Sequence, residues 1–188
     1  MKKAIFAVLL TLLITVMAAC GASGDNSKDK NAAGDSLWSS IKDKGVLTVG
    51  TEGTYEPFTY HDKKTDKLTG YDVEVMQEVA KRLNLKAEFK ETQWDSMFAG
   101  LNSKRFDVVA NQVGKKDRED QYDFSDSYTT SQAVVVTKAD NNDVKSEGDV
   151  KGKKAAQSLT SNYNDLAKNA GAEIEGVEGM AQAFQLIQ

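Results

Sequence analysis

The 188-residue sequence sets 24 Lys and Arg against 28 Asp and Glu, a mildly acidic balance with both signs interspersed, so it offers no basic face for a nucleic-acid partner. One His and one Cys leave no material for a His-dependent catalytic triad, a Cys/His zinc site or an internal disulfide. No catalytic residue, metal or cofactor is assigned on these grounds.

At the N-terminus, Lys2 and Lys3 precede an apolar run from Ala4 to Val16, and Met17-Ala18-Ala19 leads into Cys20. A charged start, a short apolar core and a small-residue cleavage site predict a secretory signal over residues 1–19, too short to span a membrane as a helix. Residues 20–35 are Gly, Ser, Ala, Asn, Asp and Lys around the single Cys20, with no aromatic or branched apolar side chain. Such a segment cannot bury enough surface to offset its ordering entropy, and a flexible tether is expected.

The body, about 150 residues from Ser36 onward, is long enough for one good core or two small ones. A helix through Leu37, Trp38 and Ile41 leads to a buried strand at Val46 to Gly50. Tyr71 to Leu83 places Val75, Met76, Val79, Ala80 and Leu83 on one helical face. A strand at Leu85 to Glu91, a helix from Asp95 to about Ser103 and a strand at Phe106 to Ala110 follow. The β-branched run Ala133 to Thr137 is expected to be a hinge strand, dividing lobe 1 (36–132) from lobe 2 (138–188). Lobe 2 holds strands near Lys153 to Gln157 and Glu173 to Val177, a helix from about Ser161 to Asn169, and a last helix from Gly179. In that helix Met180, Ala183, Phe184 and Ile187 form an apolar stripe with little left to pack against, which suggests a chain cut short.

Strands alternating with helices imply crossover units and a mainly parallel α/β sheet, with ligands at the carboxyl ends of the strands. Those ends carry Gly50-Thr51-Glu52-Gly53-Thr54-Tyr55, Thr92-Gln93-Trp94 and Asn111-Gln112-Val113-Gly114. His61, in a polar turn, reads as a solvated residue. Taken alone, Arg118 belongs to a solvated charge run at residues 115–120. Tyr55 and Trp94 read as core aromatics, and Thr160 with Ser161 as a helix cap.

Gly70-Tyr71-Asp72-Val73-Glu74-Val75, continuing through Val79, Ala80 and Leu83, resembles the signature of the family 3 extracellular solute-binding proteins, the amino-acid receptors of ABC importers. Gly50-Thr51, Tyr55-x-Pro57-Phe58, Trp94-Asp95, Asp107 and Tyr122-Asp123-Phe124-Ser125 fit in order and spacing, so the likeness covers essentially the whole body. The resemblance implies an α/β periplasmic-binding-protein type II fold, two lobes closing on a solute about hinge strands. Complete members are longer, so the rest of lobe two and the C-terminal part of lobe one are expected beyond Gln188. The residues around Cys20 resemble a lipobox, with Met17 where Leu is usual. This implies a cysteine carrying diacylglycerol and a protein anchored to the outer face of the cell membrane.

The family positions make Arg118 the carboxylate clamp, with Gly114 contributing its backbone N–H, at a spacing one residue shorter than the commonest pattern. Thr160 and Ser161 match the second carboxylate contact at a helix N-terminus. Tyr55 and Trp94 match the aromatic pair around the solute side chain. Gln112 is expected to offer its carbonyl to the solute ammonium, whose acidic partner lies in the family beyond Gln188. Around Glu52, Asn111 and Ser158 to Tyr163 the likeness is greatest to the L-cystine-binding branch. Glu52 would meet the second ammonium of cystine, though it would equally serve Lys or Arg. The expectation is a monomeric receptor that hands its solute unchanged to the permease subunits. A receptor for a cationic or other polar amino acid, and a dehydratase on the same fold, are the alternatives.

Overall fold

The computed structural model describes residues 29–115 and 118–187, with side chains from Leu37 onward. The signal at residues 1–19 and Cys20 lie outside the described residues. The chain divides into two units, Met1–Ser40 and Ile41–Gln188. In the first, the described residues all belong to α1 (Asp29–Lys44). Within the expected tether (20–35), residues 29–35 are helical, an outcome that Ala32 and Ala33 favour by propensity, while residues 20–28 lie outside the described residues. Helix α1 ends at Gly45, whose left-handed φ of 68° suits a glycine stop.

The second unit is built around β1 (Val46–Thr51), which pairs on both sides in parallel. Its neighbours are β5 (Lys86–Glu91), aligned from Val46 opposite Lys86 to Thr51 opposite Glu91, and β6 (Val108–Val109). The alternation of a strand sends Leu47 and Val49 to one face, where they form a core with Ile41, Ala80 and Ala110, flanked by Met76, Ala87 and Phe89. Ala80 and Met76 come from α2 (Tyr71–Arg82). On the other face, Gly50 of β1 and Gly100 of α3 (Trp94–Asn102) both lie against Phe106, a ring only 1% exposed. The apolar run expected as a strand over Phe106 to Ala110 pairs only at Val108–Val109. Asp107 explains the shortening, because its carboxylate accepts the Thr48 backbone N–H (2.9 Å) and hydroxyl (2.6 Å) where a longer ladder would run.

Three short strands go beyond the sequence expectation. β2 (Thr54–Tyr55), β3 (Thr59–His61) and β4 (Leu68–Thr69) form an antiparallel sheet between β1 and α2 in sequence. His61 is more than a solvated turn residue. Its Nδ1 lies 2.9 Å from the Asp66 carbonyl oxygen and its Nε2 lies 3.0 Å from Glu91 Oε2. Both partners are acceptors, so both ring nitrogens serve best as donors, and the bonds to Glu91 and to Asp66 raise the His61 pKa. A folded pKa above the unfolded value of about 6.5 means stabilisation that is full below that value and is lost as pH rises through the folded pKa. NMR titration of this histidine, the one in the sequence, should therefore give a midpoint above about 6.5, and Glu91→Gln should lower it.

Further along, a 3₁₀ turn (Glu147–Val150) precedes β7 (Lys154–Gln157), which pairs in parallel with β8 (Glu173–Gly176) across α4 (Asn162–Asn169). Helix α5 (Met180–Leu186) follows. Residues 133–137 form no strand, correcting the expected hinge strand. Val134, Val135 and Val136 are 78%, 50% and 53% exposed. A β-branched run becomes a strand only where another strand supplies its hydrogen bonds, and none among the described residues does so here.

Candidate functional site

The polar ends of β1 and β6 meet first. Asn111, just past β6 and 2% exposed, accepts the Glu52 N–H (2.8 Å) and the Thr51 hydroxyl (3.2 Å) through Oδ1. Its Nδ2 donates to Glu52 Oε2 at 2.6 Å. One buried amide thus fixes both the backbone and the side chain of Glu52. Burial raises the Glu52 pKa and Asp95 adds repulsion, while hydrogen bonds from Asn111 and the Trp94 backbone oppose the rise. Glu52 faces a cavity of about 360 Å³, shared with Thr92, Gln93, Glu178 and Gln182. Across it, Gln93 Nε2 donates to Glu178 Oε2 at 2.8 Å.

Arg118 lines a second cavity, of about 280 Å³, with Phe98, Tyr122, Thr160 and Asn162. Its guanidinium lies 5.5 Å from the centroid of the Trp94 ring and 5.1 Å from that of Phe98. Nη2 donates to the Thr160 carbonyl at 3.0 Å, and Nη1 lies 3.4 Å from the Gly114 carbonyl. These contacts pin the plane of the fork and leave further N–H groups for an anion. The charge-run reading of Arg118 is therefore corrected: its head is seated on aromatic rings.

Thr160 directs its N–H (3.3 Å) and its hydroxyl (2.5 Å) to Asp95 Oδ1. Ser161 caps α4, its Oγ accepting the Tyr163 N–H at 3.2 Å, so its hydroxyl has a structural partner already. Trp94 is 8% exposed and meets Phe98 edge-on at 5.7 Å, while Tyr55 packs with Phe58 at 5.2 Å. Burial raises the Tyr55 pKa, and the charges of Glu52 and Asp72 contribute to the rise. Gln112 has a left-handed φ of 52° and is gripped by the buried Asp72 through its N–H (2.9 Å) and side-chain amide (2.6 Å). Gly114 approaches Asn162, where an added Cβ would lie 3.8 Å from its amide nitrogen.

The structure therefore brings Arg118, Trp94, Gly114 and Thr160 together and sets Glu52 across the Trp94-Asp95 corner from them. Asn111, Asp95 and Asp72 have no role legible in the sequence, although they stand inside Asn111-Gln112-Val113-Gly114, Trp94-Asp95 and Gly70-Tyr71-Asp72-Val73. A polar residue directly after a buried strand was the available signal for Asn111.

Residues 47–181 match the bacterial extracellular solute-binding proteins, family 3, and the chain belongs to that family. Its α/β architecture is the fold of that family. Similar proteins include the L-cystine-binding protein TcyA of Bacillus subtilis, 77% identical over 188 residues, which cover 100% of this chain and 70% of that protein. A probable amino-acid ABC transporter-binding protein of Haemophilus influenzae is 57% identical over 144 residues, covering 76% of this chain and 56% of that protein. Among solved structures, the ancestral amino acid-binding protein AncCDT-1, a precursor of cyclohexadienyl dehydratase, matches with a TM-score of 0.73 at 34% identity. That match covers 81% of this chain and 69% of the other. The chain thus spans little more than half of one curated relative and 70% of the other.

Proposed function

We propose that this chain belongs to the solute-binding component of an amino-acid ABC importer, that its solute is L-cystine, and that it transfers the solute unchanged as a monomer. The observation that carries the choice of solute is the 77% identity, along the whole chain, to a protein that binds L-cystine. The geometry agrees with a two-ended solute. Arg118 supplies a stacked cation for a carboxylate, and Glu52, across the Trp94-Asp95 corner, supplies an anion for a distant ammonium. In this reading Tyr55 and Trp94 flank the solute, Thr160, Ser161 and Gly114 assist at the carboxylate, and Gln112 offers its carbonyl to the near ammonium.

Calorimetry with cystine, cysteine, arginine, lysine and glutamine tests the solute. Cystine is expected to bind most tightly and to be recovered intact. Binding of arginine or lysine without cystine would establish the cationic alternative, and a product in place of recovered cystine would establish an enzyme. Glu52→Gln should weaken cystine about tenfold or more, the scale of a hydrogen bond to a charged group, and should hardly affect S-methylcysteine, which has one ammonium. Equal losses for both ligands would remove Glu52 from the distal contact. The same reading places Cys20 under a lipid anchor on the outer face of the membrane, so Cys20→Ala should release the protein from the membrane fraction. Retention there would defeat the anchor.

A further inference from the structure

Among the described residues Asp72 is the one charged side chain that is fully buried, 1% exposed, and its partners there are neutral donors rather than a cation. It stands in the first turn of α2 and reaches across to the end of β6. There Oδ2 accepts the Gln112 backbone N–H at 2.9 Å, and Oδ1 accepts the Gln112 side-chain amide at 2.6 Å. Oδ1 also accepts the Tyr128 hydroxyl at 3.1 Å. Tyr71, the residue before Asp72, donates its own hydroxyl to the Tyr128 carbonyl at 3.1 Å, so the Tyr128 segment is tied to α2 twice. Gln112 meanwhile holds a φ of 52°, a region in which a residue with a Cβ is strained unless its surroundings hold it. One carboxylate gripping both the main chain and the side chain of that residue is the restraint that holds it.

We propose that Asp72 is a positioning residue for the ammonium end of the site, acting on the solute through Gln112 without touching it. The proposal rests on the reading that the Gln112 carbonyl receives the solute ammonium. The grip fixes the peptide from which that carbonyl projects. A buried carboxylate whose partners among the described residues are all neutral donors also adds negative potential where a positive group must settle. The carboxylate serves better than an amide would. An asparagine in place of Asp72 would present one NH₂ group toward donors, and at least one of the three bonds would become a clash of donors.

The test compares Asp72→Asn in the natural background and in a Gln112→Gly background. Glycine adopts a φ of 52° unaided and has no side-chain amide to hold. In the natural background, cystine affinity is expected to fall about ten- to a hundredfold at temperatures well below the melting point, the range for hydrogen bonds to a charged group. In the Gln112→Gly background the same substitution should cost only a few-fold. A merely structural role would lower the melting temperature equally in both backgrounds and leave affinity alone. Affinity within about twofold of the unsubstituted protein, or the same loss in both backgrounds, overturns the assignment. Should Asp72→Asn not fold, Tyr128→Phe removes one donor to the same carboxylate and is judged by the same comparison. A reading that needs no solute is the hydrogen exchange of the Gln112 amide. It should accelerate in Asp72→Asn while core amides of β1 stay protected, and unchanged protection overturns the grip. If the unsubstituted protein binds no amino acid, the functional reading fails, while the amide measurement still decides whether Asp72 holds Gln112.

Discussion

Arg118→Ala should weaken solute binding by about 2–5 kcal/mol, because a desolvated carboxylate would lose its charged partner. Three contacts hold the guanidinium in place for this proposed role. Trp94 and Phe98 lie within 5.5 Å of it, the Thr160 carbonyl holds Nη2, and the Gly114 carbonyl lies near Nη1. A fork placed in advance loses little entropy when an anion arrives. Arg118→Lys should therefore rescue poorly, since an ammonium has no plane to stack and no second tooth for a bidentate contact. Calorimetry reads the affinity, and a thermal melt of the free protein separates binding from folding. Stability should change little, because Arg118 is only partly buried. Unchanged cystine affinity in either variant would remove Arg118 from the carboxylate site.

Phe106→Ala should destabilise the protein by about 3–5 kcal/mol, the range for deleting a buried aromatic ring. The ring is 1% exposed and lies between two glycines from different elements. A Cβ at Gly50 would fall 2.5 Å from it, and a Cβ at Gly100 would fall 2.6 Å from it. Both glycines are thus places where the main chain comes close enough to the ring to exclude a side chain. Refilling the space would require α3 to shift toward β1, and the hydrogen bonds of the sheet hold β1 in place. Urea unfolding should show a lower midpoint with the slope unchanged. Gly100→Ala should also destabilise, by about 1–3 kcal/mol, through overpacking against the same ring. A midpoint for Phe106→Ala indistinguishable from that of the unsubstituted protein would refute this account of the core.

These two sites also mark the boundary of what the sequence discloses. Helix α2 was legible because Met76, Val79, Ala80 and Leu83 repeat at helical spacing, and β1 because a short apolar run ends in Gly50. The β2, β3 and β4 strands were not. Each has only two or three residues, too few to show an alternation, and the Thr51 hydroxyl that Thr59 of β3 accepts comes from a different sheet. Ala133 to Thr137 erred the other way: its β-branched residues speak for a strand, but strand formation is a property of pairs. In the site, the strand ends marked the segments that hold Glu52, Gln112 and Gly114, and only the family resemblance singled those residues out. The grip of Asn111 on Glu52 and of Asp72 on Gln112 joins residues far apart in the chain, and no local pattern encodes such a partnership. The stacked seat of Arg118 was hidden for the same reason, because its rings come from α3.

The contact between Thr160 and Asp95 bears on how any affinity is to be understood. Both donors of Thr160 already serve a carboxylate that the chain itself supplies. A solute carboxylate reaching Thr160 therefore enters by substitution, releasing one anion from a pair of donors as another takes them. The measured free energy is then the difference between two similar bonds. Tallying the contacts of a filled cleft would overstate the gain, and the size of the correction would be set by how readily the chain's own anion lets go.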